Sequence, residues 1–227
     1  MCGRFASTTP PDKLAAYFGA EAPAEPDEET SPDYNVAPTR DVPVVRVRDE
    51  ARHLDHLRWG LVPRWAKDLR IGSKMINARS ETVATKNSFR SAFAKRRCIV
   101  SADGFYEWKR NDDGSKQPMY IHRADGDPLA LAGLWERWRD AEDLREFHTF
   151  TILTCGPNAT MEPIHNRMPV MLAPSDWEEW LQPENQDTDH LQRLLVPAPE
   201  GLLATRPVST DVNSVRNNNP TLIDSIA

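Results

Sequence analysis

Cysteine is scarce in this chain: 227 residues hold three, Cys2, Cys98 and Cys155. An odd number with no CxxC pair excludes both a disulfide framework and a cysteine-rich zinc site. Apolar runs of about 18 residues, the length a membrane-spanning helix needs, are absent. The first residues lack the basic stretch and apolar core of a secretory leader, so a cytoplasmic protein is expected. There is no internal repeat, and no strand–helix alternation sustains a parallel sheet. What remains is a hydrophobic fraction of 39%, ordinary for a soluble protein and sufficient for one well-buried domain, expected to span residues 1–227.

Net charge is -6, which by itself argues against a nucleic-acid partner. The distribution argues the other way. Residues 40–110 carry 17 of the 28 Lys and Arg but only 8 of the 34 Asp and Glu. A basic groove on an acidic protein has this pattern, and so does a scattered set of solvated arginines.

Local patterns predict an α+β fold. "TTPPDKLAAYFG" reads as a short helix with Thr9 as cap and Gly19 as stop. The acidic, proline-rich stretch at 21–33 reads as a surface loop. "VPVVRVR" reads as a strand, and the proline-punctuated "HLRWGLVPRW" as no regular helix. "SETVATKNSFRSAFAKRR" has helical spacing, with Ser80, Asn87 or Ser88 as caps and a basic C-terminal end. "CIVSADGFYEWKR", "QPMYIHR", "PLALAGLWERW" and "FHTFTILTC" read as a meander of mostly antiparallel strands, with turns at Asp103-Gly104, Asp113-Gly114 and Asp125-Gly126. "SDWEEWLQ", with a capping box from Ser175 to Glu178, and "TDHLQRLL" read as helices. The expected architecture is a mostly antiparallel, barrel-like core flanked by short helices.

Four groups stand where the pattern puts a turn or an element end: Cys2, "NARSET", "GFYEW" and "HNRMP". Cys98 and Cys155 sit in apolar runs as small core residues. Cys2 follows the initiator methionine, whose removal would expose an α-amine beside a thiol. An α-amine has a reference pKa of ~7.7–8.0 against ~10.4 for lysine, so part of it is unprotonated at neutral pH and can attack an aldehyde. The neighbouring thiol, reference pKa ~8.5, can then add to the imine and close a thiazolidine ring. Glu107 shares the face of Phe105 by alternation. It is either a surface glutamate beside Lys109 or a partly desolvated carboxylate suited to proton transfer. His165 sits in a proline-bounded loop beside Arg167, and the pair can move a proton and hold a phosphate. Asn77 and Arg79 are either cap and surface residues or parts of the same cluster. Arg4, Arg79 and Arg167 each neighbour a candidate catalytic group, as phosphates flanking a reacting centre require. Trp59, Trp65 and Trp108 either stack on bases or fill the core. His53 and His56 have no partners completing a metal site, and no metal or cofactor is expected.

"MCGRF", "YNVAPT", "RWGLVPRW", "INARSET", "RRCIVSADGFYEWK", "PIHNRMPVML" and "VNSVRNN" follow one another along nearly the whole chain. In this the sequence strongly resembles the SRAP family, the SOS response-associated peptidases now known as abasic-site processing proteins. The resemblance implies a single α+β domain with a channel for single-stranded DNA. It also implies a crosslink between Cys2, freed of Met1, and the ring-opened aldehyde of an abasic site. Catalytic roles would fall to Cys2, Asn77, Glu107 and His165. DNA contacts would fall to Arg4, Arg79 and Arg167, and also to Trp65, Pro38 and Thr154. "TILTCGPNAT" departs from the family pattern at Cys155 and Gly156, which bears on Thr154. Removal of the protein's own Met1, a weak abasic-site lyase activity, a monomeric state and association with the nucleoid after DNA damage are further expectations. Two rivals are an amidohydrolase with Cys2 as nucleophile, because glutamine amidotransferase domains also begin Met-Cys-Gly, and a DNA-binding module in which Cys2 is incidental.

Overall fold

Pairing of the β-branched and aromatic runs closes one sheet on itself and leaves a second open. In the computed structural model, which describes residues 2–22 and 31–226, the first elements are β1 (Phe5–Ser7), α1 (Pro11–Phe18), β2 (Asp33–Val36), β3 (Asp41–Arg48), β4 (Ala51–Trp59) and β5 (Asn77–Arg79). There follow α2 (Arg90–Lys95), β6 (Arg97–Ala102), β7 (Gly104–Arg110), β8 (Lys116–Arg123), β9 (Leu129–Arg139) and β10 (Glu146–Cys155). The chain ends with β11 (Met168–Pro169), α3 (Trp177–Leu181), α4 (Thr188–Gln192) and β12 (Leu203–Pro207). Strands β10, β4, β3, β6 and β9 form a closed five-strand barrel, antiparallel except where β4 runs parallel to β10. The second sheet, in the order β12-β8-β7-β1-β2, is antiparallel throughout. The result is a single α+β domain with a barrel core, as the patterns predict.

The barrel and one face of the second sheet share an apolar core in which Phe5, Trp59, Phe93, Phe105, Phe150 and Trp180 are fully buried. Each such side chain contributes roughly 1.5–3 kcal/mol by leaving water. A smaller cluster, built on Tyr106, Tyr120, Val208, Val212 and Leu222, covers the other face of that sheet. The Asp103-Gly104 turn joins no hairpin, because β6 belongs to the barrel and β7 to the open sheet. A Cβ on Gly104 would come within 2.5 Å of the Tyr120 hydroxyl and 2.7 Å of the Ile121 carbonyl oxygen, so the crossing requires glycine.

Several local expectations give way to competing bonds. Helix α1 stops at Gly19, which is left-handed with φ of 59°. Thr9 does not cap it: the hydroxyls of Thr8 and Thr9 both go to Asp103, tying this segment to the corner between the sheets. The helix expected over 80–97 shrinks to α2. Ser80–Thr82 form a 3-10 turn, α2 has no side-chain cap, and Arg97 already belongs to β6. Ser175 bonds Asp176 instead of closing a capping box, and a 3-10 turn precedes α3. Strand β4 was not anticipated by pattern; it is joined to β3 by Asp49 and Glu50, both at positive φ (50° and 64°). Most of the acidic stretch at 21–33 lies outside the described residues.

Candidate active site at the end of the barrel

Strand β10 outruns its barrel neighbours. On one edge β4 pairs with Thr149 and Phe150, and β5 then takes over, placing Asn77 opposite Ile152 and Arg79 opposite Thr154. On the other edge β9 gives way after Ile152, and β11 pairs with Thr154 and Cys155. The "INAR" and "HNRMP" motifs therefore flank the end of one strand and meet across Thr154.

The N-terminal motif arrives from the second sheet. Phe5 pairs with Phe105, and Tyr106 N–H donates to the Arg4 carbonyl at 2.9 Å. Continued one residue further, this register sets Gly3 across from Glu107. The Asn77 side-chain amide then donates to the Cys2 carbonyl at 2.8 Å, bridging the two sheets. Asn77 Oδ1 is buried and accepts no hydrogen bond among the described residues.

Cys2 is fully buried, not an exposed chain start. Burial pushes its thiol well above the usual range, and the Glu107 carboxylate adds to the shift, while a bond from the Arg4 backbone N–H opposes it. Glu107 is 3% exposed, which decides between the surface and desolvated readings in favour of the second. The sulfur is thus held as a neutral thiol beside a buried carboxylate. His165 is half-buried in the turn after β10; its backbone N–H bonds Met161, and its Nδ1 accepts from Arg167 N–H at 3.0 Å.

Around this cluster the arginines divide. Arg79 is exposed at the end of β5. Arg167 donates to the Thr154 carbonyl (2.5 Å) and hydroxyl (3.3 Å) and reaches both oxygens of Glu81. Thr154 is itself fully buried, so it supports Arg167 from within. Beside them Cys155 is 2% exposed; burial raises its thiol to about 11, with the Arg167 charge pulling the other way. Arg4 lies on the Tyr106 face of the sheet, where its guanidinium bonds Asn35 Oδ1 (2.7 Å) and the Val212 carbonyl (2.9 Å). Burial lowers its pKa. The structure therefore brings Cys2, Asn77 and Glu107 together, sets Arg79, Arg167 and Thr154 around the adjoining strand end, and commits the Arg4 side chain elsewhere.

A hollow of about 300 Å³ is lined by Thr39, Arg58, Leu69, Arg70 and Ser73 among others, and neither Pro38 nor Trp65 is part of its lining. Pro38 lies in the turn that bonds Thr39 N–H to the Trp59 carbonyl. Trp65 is 60% exposed on the loop from Gly60 to Gly72. A Cβ on either glycine would fall within 2.6 Å of the other's carbonyl oxygen, so only a glycine pair lets the loop close. Of the other tryptophans, Trp59 is fully buried in the core and Trp108 bonds Asn213. Sequence reasoning missed Asn35, Glu81, Arg58 and Arg70. Arg58 and Arg70 belong to the basic 40–110 segment and Asn35 to "YNVAPT", but only the fold shows what each faces.

The burial of weak acids has a measurable consequence. Cys2, Cys98, Tyr106 and Tyr120 are all raised, in each case chiefly by burial. In the unfolded chain thiols lose protons near ~8.5 and phenols near ~10, whereas the folded chain keeps them. The folded state then binds more protons, so stability is fully present below about pH 8 and falls as pH rises further. Calorimetry from about pH 7 to pH 10 is expected to show a falling melting temperature; a constant one would contradict this assignment.

A closed barrel with a sealed N-terminal cysteine, an asparagine bridging it to the strand end and a buried glutamate beside it defines a distinctive class of α+β protein. The chain belongs to the SRAP family: the family model described as SOS response associated peptidase (SRAP) matches residues 1–215. It is 45% identical over 225 residues to the Bacillus subtilis abasic site processing protein YoqW, covering 99% of this chain and 100% of the relative. It is 36% identical over 235 residues to abasic site processing protein YedK of Escherichia coli, with 100% of both chains covered. A crystal structure of a protein from Bacteroides thetaiotaomicron superposes with a TM-score of 0.90 at 27% identity, again over 100% of both chains. Among the described residues no helix is long and apolar enough to cross a membrane.

Proposed function

We propose that this protein captures abasic sites in single-stranded DNA by forming a thiazolidine through Cys2 after Met1 is removed, so shielding the lesion. The observation that carries the reading is the set of groups around Cys2: a sealed thiol, Asn77 on its carbonyl, and the buried Glu107 carboxylate. The whole-length likeness to relatives named abasic site processing proteins supports the same chemistry.

A raised thiol is a poor first nucleophile, whereas an α-amine is already partly unprotonated at neutral pH. The amine therefore attacks first. His165 acts as the acid–base catalyst of ring opening, passing a proton to the deoxyribose ring oxygen as the anomeric hydroxyl gives one up and the hemiacetal opens to the aldehyde. The Cys2 amine adds to C1′; Glu107 takes up an amine proton and returns it as water leaves, giving the imine. Asn77 keeps residue 2 in place. The thiol then adds across C=N, its hydrogen passing to nitrogen, and the ring closes without further loss of atoms. Where the imine persists, loss of the C2′ proton and elimination of the 3′ phosphate give a weak lyase activity. Hydrolysis of the Met1–Cys2 bond is the self-processing step. Arg79 and Arg167 supply positive charge for the flanking phosphates.

Membership of the SRAP family counts against the amidohydrolase, in which sulfur is the attacking atom. Incubation of the processed protein with a single-stranded oligonucleotide containing one abasic site is expected to give an adduct stable to denaturant. Cys2→Ser keeps the amine and loses the sulfur ring, so its adduct should survive only after borohydride reduction. Glutaminase activity, or no adduct with confirmed loss of Met1, would overturn the reading.

A further inference from the structure

Arg167, the proposed phosphate contact, already holds an anion. Its Nη1 donates to Glu81 Oε1 at 2.5 Å and its Nη2 to Oε2 at 3.0 Å, the two-pronged geometry in which a guanidinium takes a phosphate. The Arg167 side chain is 15% exposed and fixed from behind by Thr154, whereas Glu81 is 53% exposed. Glu81 is the movable partner. Its carboxyl is held below the usual range chiefly by the bond from Arg167, so it is ionised at neutral pH.

Its placement is built into the fold. Glu81 sits on the 3-10 turn that directly follows β5. That turn is fixed by the pairing of Arg79 with Thr154 and by Gln192 Nε2, which donates to the Ser80 carbonyl at 2.7 Å. Ser80 itself is 4% exposed. The carboxylate therefore meets the open edge of Arg167 beside the end of β10, where the proposed strand passes.

We infer that Glu81 occupies the phosphate position on Arg167 and is replaced by a backbone phosphate when a single strand binds, so that it sets how weakly the site holds undamaged DNA. The inference rests on the abasic-site reading of the same cluster. Binding exchanges one anion for another, and the displaced carboxylate stays beside the incoming phosphate. Non-covalent affinity is reduced, while a strand bonded to Cys2 is not released by that penalty. Strands without a lesion leave and strands with one remain.

The test uses processed full-length protein and a dye-labelled oligothymidine with no abasic site, so that no covalent step contributes. Anisotropy titrations compare the unaltered protein with Glu81→Gln and Glu81→Ala. Both variants are expected to bind about 2- to 5-fold tighter, the range an exposed ion pair gives. The slope of log affinity against log salt should steepen by up to about 0.7, since the Arg167 contact no longer frees a carboxylate that gathers counterions. Equal or weaker binding by both variants, with the unaltered protein binding normally, would overturn the inference alone and make Glu81 a buttress for Arg167. No binding by the unaltered protein would overturn the DNA reading and the inference with it.

Discussion

A chain carrying a non-removable residue between Met1 and Cys2 will still fold and bind single-stranded DNA, but its adduct with an abasic site will fall to background. Residue 2 lies before β1, and pairing with β7 begins at Phe5, so the extension leaves the strand register untouched. It changes the chemistry completely. An acylated nitrogen is an amide with no available lone pair, and it cannot attack an aldehyde. The thiol remains, but burial and the Glu107 charge keep it protonated. Thiol addition to an aldehyde gives only a reversible hemithioacetal, which denaturation would release. The comparison is read on a denaturing gel with a leucine inserted after Met1, retention of both residues being checked by mass. A denaturant-stable adduct of undiminished yield would mean that another group does the chemistry.

Arg97→Met is expected to be the most damaging single change to stability, far from the proposed chemistry. Arg97 is 2% exposed and meets no carboxylate within bonding distance among the described residues. Its guanidinium donates instead to backbone carbonyls: Phe93 and Ala94 at the end of α2, Trp180 in α3, and Gln182 and Asn185 beyond it. Carbonyls at helix ends have no partner within the helix, and here one side chain serves two such ends. Burial lowers its pKa to about 10, with the Glu184 charge opposing the shift, so it is still charged at neutral pH. Methionine fills similar volume and donates nothing, so several buried acceptors lose their partner together. A loss of about 3–5 kcal/mol follows, or a fall in melting temperature on the order of 10 °C. Adduct formation measured well below that temperature should be unchanged. A fall of less than about 2 °C would show that water satisfies these carbonyls instead.

How far the sequence carried this picture can be judged from particular residues. Alternation placed Glu107 with Phe105, and both do face the main core; what alternation could not give was burial, because Tyr106 on the opposite face is buried as well. Strand β4 escaped notice because "ARHLDHLRW" is polar and its turn is Asp49-Glu50, where an asparagine–glycine pair would have announced a hairpin. Helical spacing over 80–97 was real only in its last turns, since pairing of Arg79 with Thr154 fixes the first residues and β6 claims Arg97. The basic end of that segment does mark a helix terminus, for Arg97 bonds the last carbonyls of α2. Positions in sequence suggested that Arg4 accompanies Cys2, but the β-strand alternation turns it toward Asn35 and Val212. Charge counting pointed to a basic segment and could not show that Arg167 already carries Glu81.

One residue, Cys2, presents both atoms that hold the lesion, its amine nitrogen and its sulfur, and the mass of the adduct tests this most directly. Processed protein is reacted with an oligonucleotide containing a single abasic site, without any reductant, and analysed intact and after proteolysis. The expected product equals the two reactants in mass less one water, with the modification on the N-terminal peptide beginning at Cys2 and no mass gain on later borohydride treatment. Attachment to a lysine, or an adduct that takes up hydride, would contradict it.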